Sequence, residues 1–291
     1  MEVEYRGASS RGTFVAPRDD APHPTVLALG GSDGGTPSYF ADLLVPEGFA
    51  CLSLAYWATP ETQPWFTEIP LERIEHALRW LAHRPGTVTH DGRVALVGAS
   101  KGAELALLVA AAYPELVGPV VAYAPSCVVW QGIDLTLPAG ETRSSWTFRG
   151  KPLPYVSVPP GVAPTQSENG VSWLPIMEAG LAQDAEVVDA ASIEVEKCTG
   201  PVLLVSGGDD HVWPTAKMCE MLTDRMASHG KSGRITHLHY PKAGHMLFPY
   251  SRPADTLVPA MLTDYGGSPD EDAAAHVDAW PRVLGCLCGS D

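Results

Sequence analysis

No two of the six cysteines stand at C-x-x-C spacing. Cys51, Cys127, Cys198, Cys219, Cys286 and Cys288 are scattered, which suggests neither a zinc site nor a disulfide framework, and they read as reduced core or helix residues. No apolar run is long enough to cross a bilayer, the longest being "LALLVAAAY" from residue 105. The opening "MEVEYRGASS" lacks a basic segment followed by an apolar one, so the sequence predicts a cytoplasmic chain. Basic residues are few, and a formal net charge of −15 argues against nucleic acid or an anionic membrane as partner. No His, Cys, Asp and Glu group has metal-ligand spacing, and no G-x-x-x-x-G-K-[ST] loop is present, so neither a metal nor a nucleotide cofactor is expected.

What is present is a 45% apolar chain of 291 residues, sufficient for a substantial core. "VEYRGASSRGTFVAP" reads as a hairpin, with Ser9, Ser10 and Gly12 marking the turn. Strand-like runs then follow at "TVLALG", "FACLSLAY", "RVALVG", "PVVAYA", "PVLLVSG" and "RITHLHY". The first five are almost continuously apolar, as strands covered on both faces of a parallel sheet should be. The last alternates, which suits a sheet edge. Between them, "LERIEHALRWLAH" has helical spacing at Leu71, Ile74, Ala77, Leu78 and Leu81, and "KGAELALLVAAAY" is apolar nearly all round, as in a buried helix. Pro214 and Gly230 mark the start and end of another helix. The alternation predicts an α/β fold with a mostly parallel, doubly wound sheet.

The rhythm stops over residues 126–190, which are rich in Pro, Gly, Ser and Trp. An insertion of that length is usually a functional lid or a binding segment. Trp130, Trp146 and Trp173 favour an ordered cap, so the expectation is one domain over residues 1–291 with a cap inserted at about 126–190.

Two stretches match G-x-S-x-G: Gly98-Ala99-Ser100-Lys101-Gly102 and Gly30-Gly31-Ser32-Asp33-Gly34. A nucleophile elbow requires a strand that ends just before the serine and a helix that begins just after it. Ser100 meets both conditions. After Ser32 the helix is delayed, with Thr36 reading as its N-cap and Pro37 as its first residue. Ser32 therefore reads as part of a loop supplying one backbone oxyanion donor, the other being the N–H of Lys101. The competing reading of "GGSDGG" is a flexible turn.

A serine hydroxyl needs an imidazole as base and a carboxylate to orient it. "PVLLVSGGDDHVWP" places Asp209 and Asp210 just beyond a buried strand, and "HYPKAGHMLF" places His245 after the last one. Both lie at C-terminal strand ends, where open α/β sheets bind ligands. A strand followed by G-x-x-D selects Asp210, leaving Asp209 as a solvated or hydrogen-bonding neighbour. His211 is the rival base. His76, His83 and His229 fall on helices, His237 and His239 on the edge strand, and His23, His90 and His276 in loops or near helix ends, where packing or surface roles are expected.

"GASKGAELAL", "SGGDDHVWP", "YPKAGH" and "HVDAW", with "EGFACLSLAYW" and "IPLERIEHAL", resemble the catalytic domain of the acyl-CoA thioesterase and bile acid-CoA:amino acid N-acyltransferase family, in the same order over roughly residues 24–285. The resemblance implies an α/β-hydrolase fold with Ser100 as nucleophile, Asp210 as acid and His245 as base. Amino-acid-conjugating members resemble this pattern with cysteine at the nucleophile position, so serine points toward hydrolysis. Lys101 and Glu104 make the match more specific than a generic elbow. Better-known members carry a β-sandwich domain before this one; here the first core strand begins at Thr25.

The expectation is a serine acyl hydrolase acting on a small-molecule acyl thioester. The alternatives are acyl transfer to an amine or alcohol, hydrolysis of a carboxylester or lactone, and a non-catalytic binding protein of the same fold. Arg143, Arg149 and Lys151 in "TRSSWTFRGK" read as a solvated loop, or as a local positive patch for the phosphates of coenzyme A.

Overall fold

The structure, a computed structural model, describes residues 1–7, 9–248 and 263–289. The main sheet is built from β1 (Glu2–Gly7), β2 (Ser10–Val15), β3 (His23–Leu29), β4 (Ala50–Ala55), β5 (Val94–Ala99), β6 (Val117–Tyr123), β7 (Val202–Gly207) and β8 (Ile235–Tyr240). Their order is β1-β2-β4-β3-β5-β6-β7-β8. β1 and β2 pair antiparallel, β2 is antiparallel to β4, and the ladder from β4 to β8 is parallel throughout. The alternating strand "RITHLHY" is the sheet edge, as its pattern predicts. Within the hairpin, β2 begins at Ser10, and Gly12 lies inside it opposite Tyr5, against the backbone of Ser53. Gly12 therefore serves close strand packing and is not part of the turn.

The helices are α1 (Ser38–Leu44), α2 (Glu72–Ala82), α3 (Lys101–Ala112), α4 (Leu174–Leu181), α5 (Ala185–Ala191), α6 (Thr215–Ser228) and α7 (Pro269–Leu287). Each core strand sends alternate side chains to opposite faces. Leu27, Leu29, Leu96 and Leu204 meet α2, α3 and α6, while Val26, Ala28, Val97 and Val205 meet α1 and α7. This two-sided cover is why the strands read as unbroken apolar runs. α3 is buried at every position from Lys101 to Ala110, matching its lack of a polar face. α1 begins at Ser38, with Pro37 just outside it, one residue later than the sequence suggests. His23 belongs to β3 and His276 to the middle of α7, so neither is a loop residue.

The segment from residue 126 onward has its own short elements. Trp146–Phe148 pairs antiparallel with Lys151–Pro152 and parallel with Ile69–Pro70. Thr165–Ser167 and Gly170–Ser172 form a second hairpin, followed by α4 and α5. Trp130 and Trp146 are buried, and Trp173 is half-buried. Arg143 pairs with Glu68 at 3.3 Å, and the Arg149 guanidinium lies over Phe148, its backbone N–H donating to Glu72. Among the described residues no helix is long and apolar enough to cross a membrane.

A buried ion pair joins this segment to α3. Lys101 Nζ donates to both Glu104 carboxylate oxygens at 2.8 and 2.7 Å, and Glu104 Oε1 also accepts from Trp146 Nε1 at 2.7 Å and from Trp130 N–H at 3.3 Å. The ammonium lies over the Phe66 and Trp146 rings. Burial lowers the Lys101 pKa and raises that of Glu104, each shift opposed by the other partner's charge. Removing one member strands a buried charge, whereas removing both does not. Glu104→Ala is therefore expected to cost about 3–5 kcal/mol in urea unfolding, and Lys101→Met with Glu104→Leu to recover part of it, because Trp146 Nε1 and Trp130 N–H still lose their acceptor. A single variant as stable as the wild type would contradict this.

Candidate active site

β5 ends at Ala99, α3 begins at Lys101, and Ser100 between them has φ 54° and ψ −123°. A left-handed backbone at a non-glycine residue costs of order 1–3 kcal/mol and persists only where the surroundings impose it. Here Ser100 N–H donates to Tyr123 O at 2.9 Å, and Ser100 O accepts from the N–H groups of Ala103 and Glu104. The flanking glycines allow the close approach. A Cβ on Gly98 would lie 2.3 Å from Gly102 O, and one on Gly102 would lie 2.2 Å from Leu29 O. The G-x-S-x-G spacing is thus a packing requirement of strand against helix.

His245 reaches this serine from the loop after β8. Its Nε2 lies 3.0 Å from Ser100 Oγ, and its Nδ1 lies 2.8 Å from Asp210 Oδ2. The carboxylate at Nδ1 fixes the tautomer, so Nδ1–H donates to Asp210 and the Ser100 hydroxyl donates to Nε2. Asp210 and His245 are both buried. Asp210 sits in the loop after β7, where Oδ1 accepts from the N–H groups of Val212 at 2.8 Å and Trp213 at 3.2 Å, and Oδ2 also accepts from Thr215 Oγ1. The imidazole lies edge-on to Trp213 at 5.8 Å and nearly parallel to Tyr265 at 6.1 Å. Its backbone N–H donates to Tyr265 O, and the preceding Gly244 N–H donates to Asp272 Oδ1 at 2.7 Å. Burial holds the Asp272 carboxyl above the usual carboxylate range.

The loop after β3 comes up against the serine. A Cβ on Gly31 would lie 3.2 Å from Ser100 Cβ and 3.7 Å from its Oγ. Tyr56 OH donates to Gly30 O at 2.6 Å and Trp57 Nε1 to Gly31 O at 3.4 Å. The second contact orients the peptide that carries the Ser32 N–H, because a peptide's N–H and C=O point in opposite directions. Among the described residues, the N–H groups of Ser32 and Lys101 donate no hydrogen bond. Burial pushes the thiols of Cys51, Cys127 and Cys198 up to about 12 and holds that of Cys219 well above its usual range.

His211 is engaged elsewhere. Its Nδ1 lies 2.9 Å from Asp264 Oδ2 and its Nε2 lies 3.1 Å from Asp209 Oδ1, so Asp209 is a hydrogen-bonding neighbour of the site. Asp264 also accepts from Ser167 Oγ in the inserted hairpin, and His211 O accepts from Ser172 Oγ and from the N–H groups of Trp173 and Leu174. Trp213, Thr215, Tyr265, Asp264 and Asp272 were not singled out for the site from sequence. Of these, Trp213 lies in the "SGGDDHVWP" stretch and Thr215 at the helix start after Pro214.

Only a doubly protonated ring donates from both nitrogens. The Asp264 carboxylate on Nδ1 is the main cause that raises the His211 pKa, with Asp209 adding to it. Burial pushes Asp264 up, but its bonds from Ser167, His211 and Gly266 outweigh that and hold it below the usual range. A raised folded-state pKa gives stability that is full below the unfolded value of about 6.5 and is lost as pH rises through the folded value. His211→Gln is expected to flatten the fall in thermal stability as pH rises above about 6.5. An equally steep fall in the variant would contradict this.

A candidate dienelactone hydrolase from Klebsiella pneumoniae subsp. pneumoniae MGH 78578 superposes with TM-score 0.57 at 15% identity, covering 99% of this chain and 98% of that one. The dienelactone hydrolase-like promiscuous phosphotriesterase P91 from metagenomic libraries gives 0.55 at 16%, covering 99% and 96%. The fold is that of the α/β-hydrolases. Human acyl-coenzyme A thioesterase 6 is 28% identical over 283 residues, 96% of this chain and 62% of that protein. Mitochondrial acyl-coenzyme A thioesterase 2 of Mus musculus is 30% identical over 287 residues, 97% and 58%. The chain thus spans about three-fifths of the length of these relatives. With residues 69–288 matched, it belongs to the family described as BAAT / Acyl-CoA thioester hydrolase C terminal.

Proposed function

We propose that this chain is a serine acyl hydrolase acting on acyl thioesters of the acyl-CoA type, within a single α/β-hydrolase domain capped by residues 126–190. The observation that carries the reading is the unbroken chain of hydrogen bonds from Ser100 through His245 to Asp210, at 3.0 and 2.8 Å, assembled from three strand ends. The thioester class is supported by kinship with relatives named as acyl-coenzyme A thioesterases.

In this reading Ser100 Oγ attacks the thioester carbonyl carbon as its proton passes to His245 Nε2. Asp210, holding Nδ1–H, stabilises the imidazolium that forms. The carbonyl oxygen becomes an oxyanion between the N–H groups of Ser32 and Lys101, where each donor contributes about 10²–10³ in rate. Collapse breaks the C–S bond, the departing thiolate takes the proton from His245, and an ester remains on Ser100. Water then repeats the sequence: His245 removes its proton, hydroxide adds to the ester carbonyl, and Ser100 leaves with the proton returned. The products are a carboxylic acid and a thiol.

Turnover of acyl-CoA, acyl-pantetheine and a matched simple ester, followed by thiol or acid release, tests this. Ser100→Ala is expected to lower kcat by about 10⁴-fold or more, and the thioesters to exceed the oxygen ester in kcat/KM. Undiminished turnover by Ser100→Ala would end the reading. Amide or ester product in the presence of amines or alcohols would move it to acyl transfer.

A further inference from the structure

Asp210 accepts more hydrogen bonds than orienting His245 requires. Oδ1 takes the N–H groups of Val212 and Trp213. Oδ2, the oxygen that faces His245 Nδ1, takes a second donor, the hydroxyl of Thr215. Thr215 is the first residue of α6 and is 1% exposed, so its hydroxyl is screened from bulk solvent. A hydroxyl has one proton to give. Trp213 O, the other acceptor within reach, lies 3.4 Å away, which leaves the carboxylate as the better acceptor.

Two donors on one carboxylate oxygen share its charge. Each stabilises the ionised form, and each reduces what the oxygen offers the other. The hydroxyl therefore fixes the carboxylate's orientation and draws charge away from the oxygen that supports the imidazolium. We infer that Thr215 is a positioning residue of the catalytic triad, which holds Asp210 and sets the basicity of His245 through it. The inference rests on the triad reading above.

Other titratable groups surround the pair. Asp272 approaches from α7, Asp209 and His211 from the acid's own loop, and Cys219 from α6, with Tyr265 stacked on the imidazole and Ser100 across it. All of them are retained in the Thr215 variants, so a shift found in Thr215→Val and not in Thr215→Ser reports the hydroxyl.

Thr215→Val keeps the branched shape and removes the donor. Asp210 Oδ2 then serves His245 alone, the imidazolium is better stabilised, and the acidic limb of kcat/KM is expected to move up by about 0.5–1 pH unit. Activity above that limb should fall less than about tenfold, the size expected of an indirect contact. Thr215→Ser should keep the wild-type limb. A merely structural role would alter stability in both variants and leave the limb in place. An unmoved limb in Thr215→Val, or an equal shift in Thr215→Ser, overturns the inference. Should Thr215→Val not fold, Thr215→Ala against Thr215→Ser makes the same comparison. A wild-type profile with no acidic limb, or an active Ser100→Ala, overturns the triad reading itself and is thereby distinguishable from failure of this inference alone.

Discussion

The contact on which the rest depends is the near-touching of backbones where β5 gives way to α3. Ser100 holds a left-handed conformation only because Gly98, Gly102 and the end of β3 leave room for it and Tyr123 O takes its N–H. That arrangement stores strain of order 1–3 kcal/mol, and the parallel sheet around it supplies the rigidity to hold it. Its effect is to present a hydroxyl above the sheet's C-terminal rim beside the start of a helix, where unspent N–H groups and the helix dipole favour negative charge.

The His245 loop and the loop after β3 come up to that hydroxyl directly and the Asp210 loop reaches it through His245, and side chains from distant parts of the chain fix them. The histidine loop is held by Asp272 on α7 and by Tyr265 O. The acid loop is held by its own Asx-type turn at Asp210 and by Thr215. The inserted hairpin joins them through Ser167, Asp264 and His211, while the Lys101–Glu104 pair ties Trp130 and Trp146 to the helix below. The insertion is thus bonded to the Asp210 loop on one side and to the helix after Ser100 on the other.

Much of this was legible in the sequence. The buried strands announced themselves because a strand covered on both faces has no polar register, and "VALVGASKGAEL" has the strand, turn and helix of an elbow in its local pattern. Asp210 and His245 followed from their place just beyond strand ends. Gly12 misled because a glycine between two strand-like runs signals a turn unless the neighbouring strand is known. The contacts of Thr215, Asp264, Asp272 and Tyr265 left no periodic trace, since they arise between loops far apart along the chain. The internal pairing of residues 126–190 was hidden for a related reason: two- and three-residue strands among prolines carry no period at all.

In the proposed mechanism Ser100 is the point of covalent attachment. The most direct measurement is rapid acid quench of the protein with an acyl-CoA, followed by intact and peptide mass spectrometry. The account predicts an added acyl mass on the peptide containing Ser100, formed in step with the first turnover of thiol. A burst of thiol release with the acyl group on another residue, or with no protein adduct at any quench time, would contradict it.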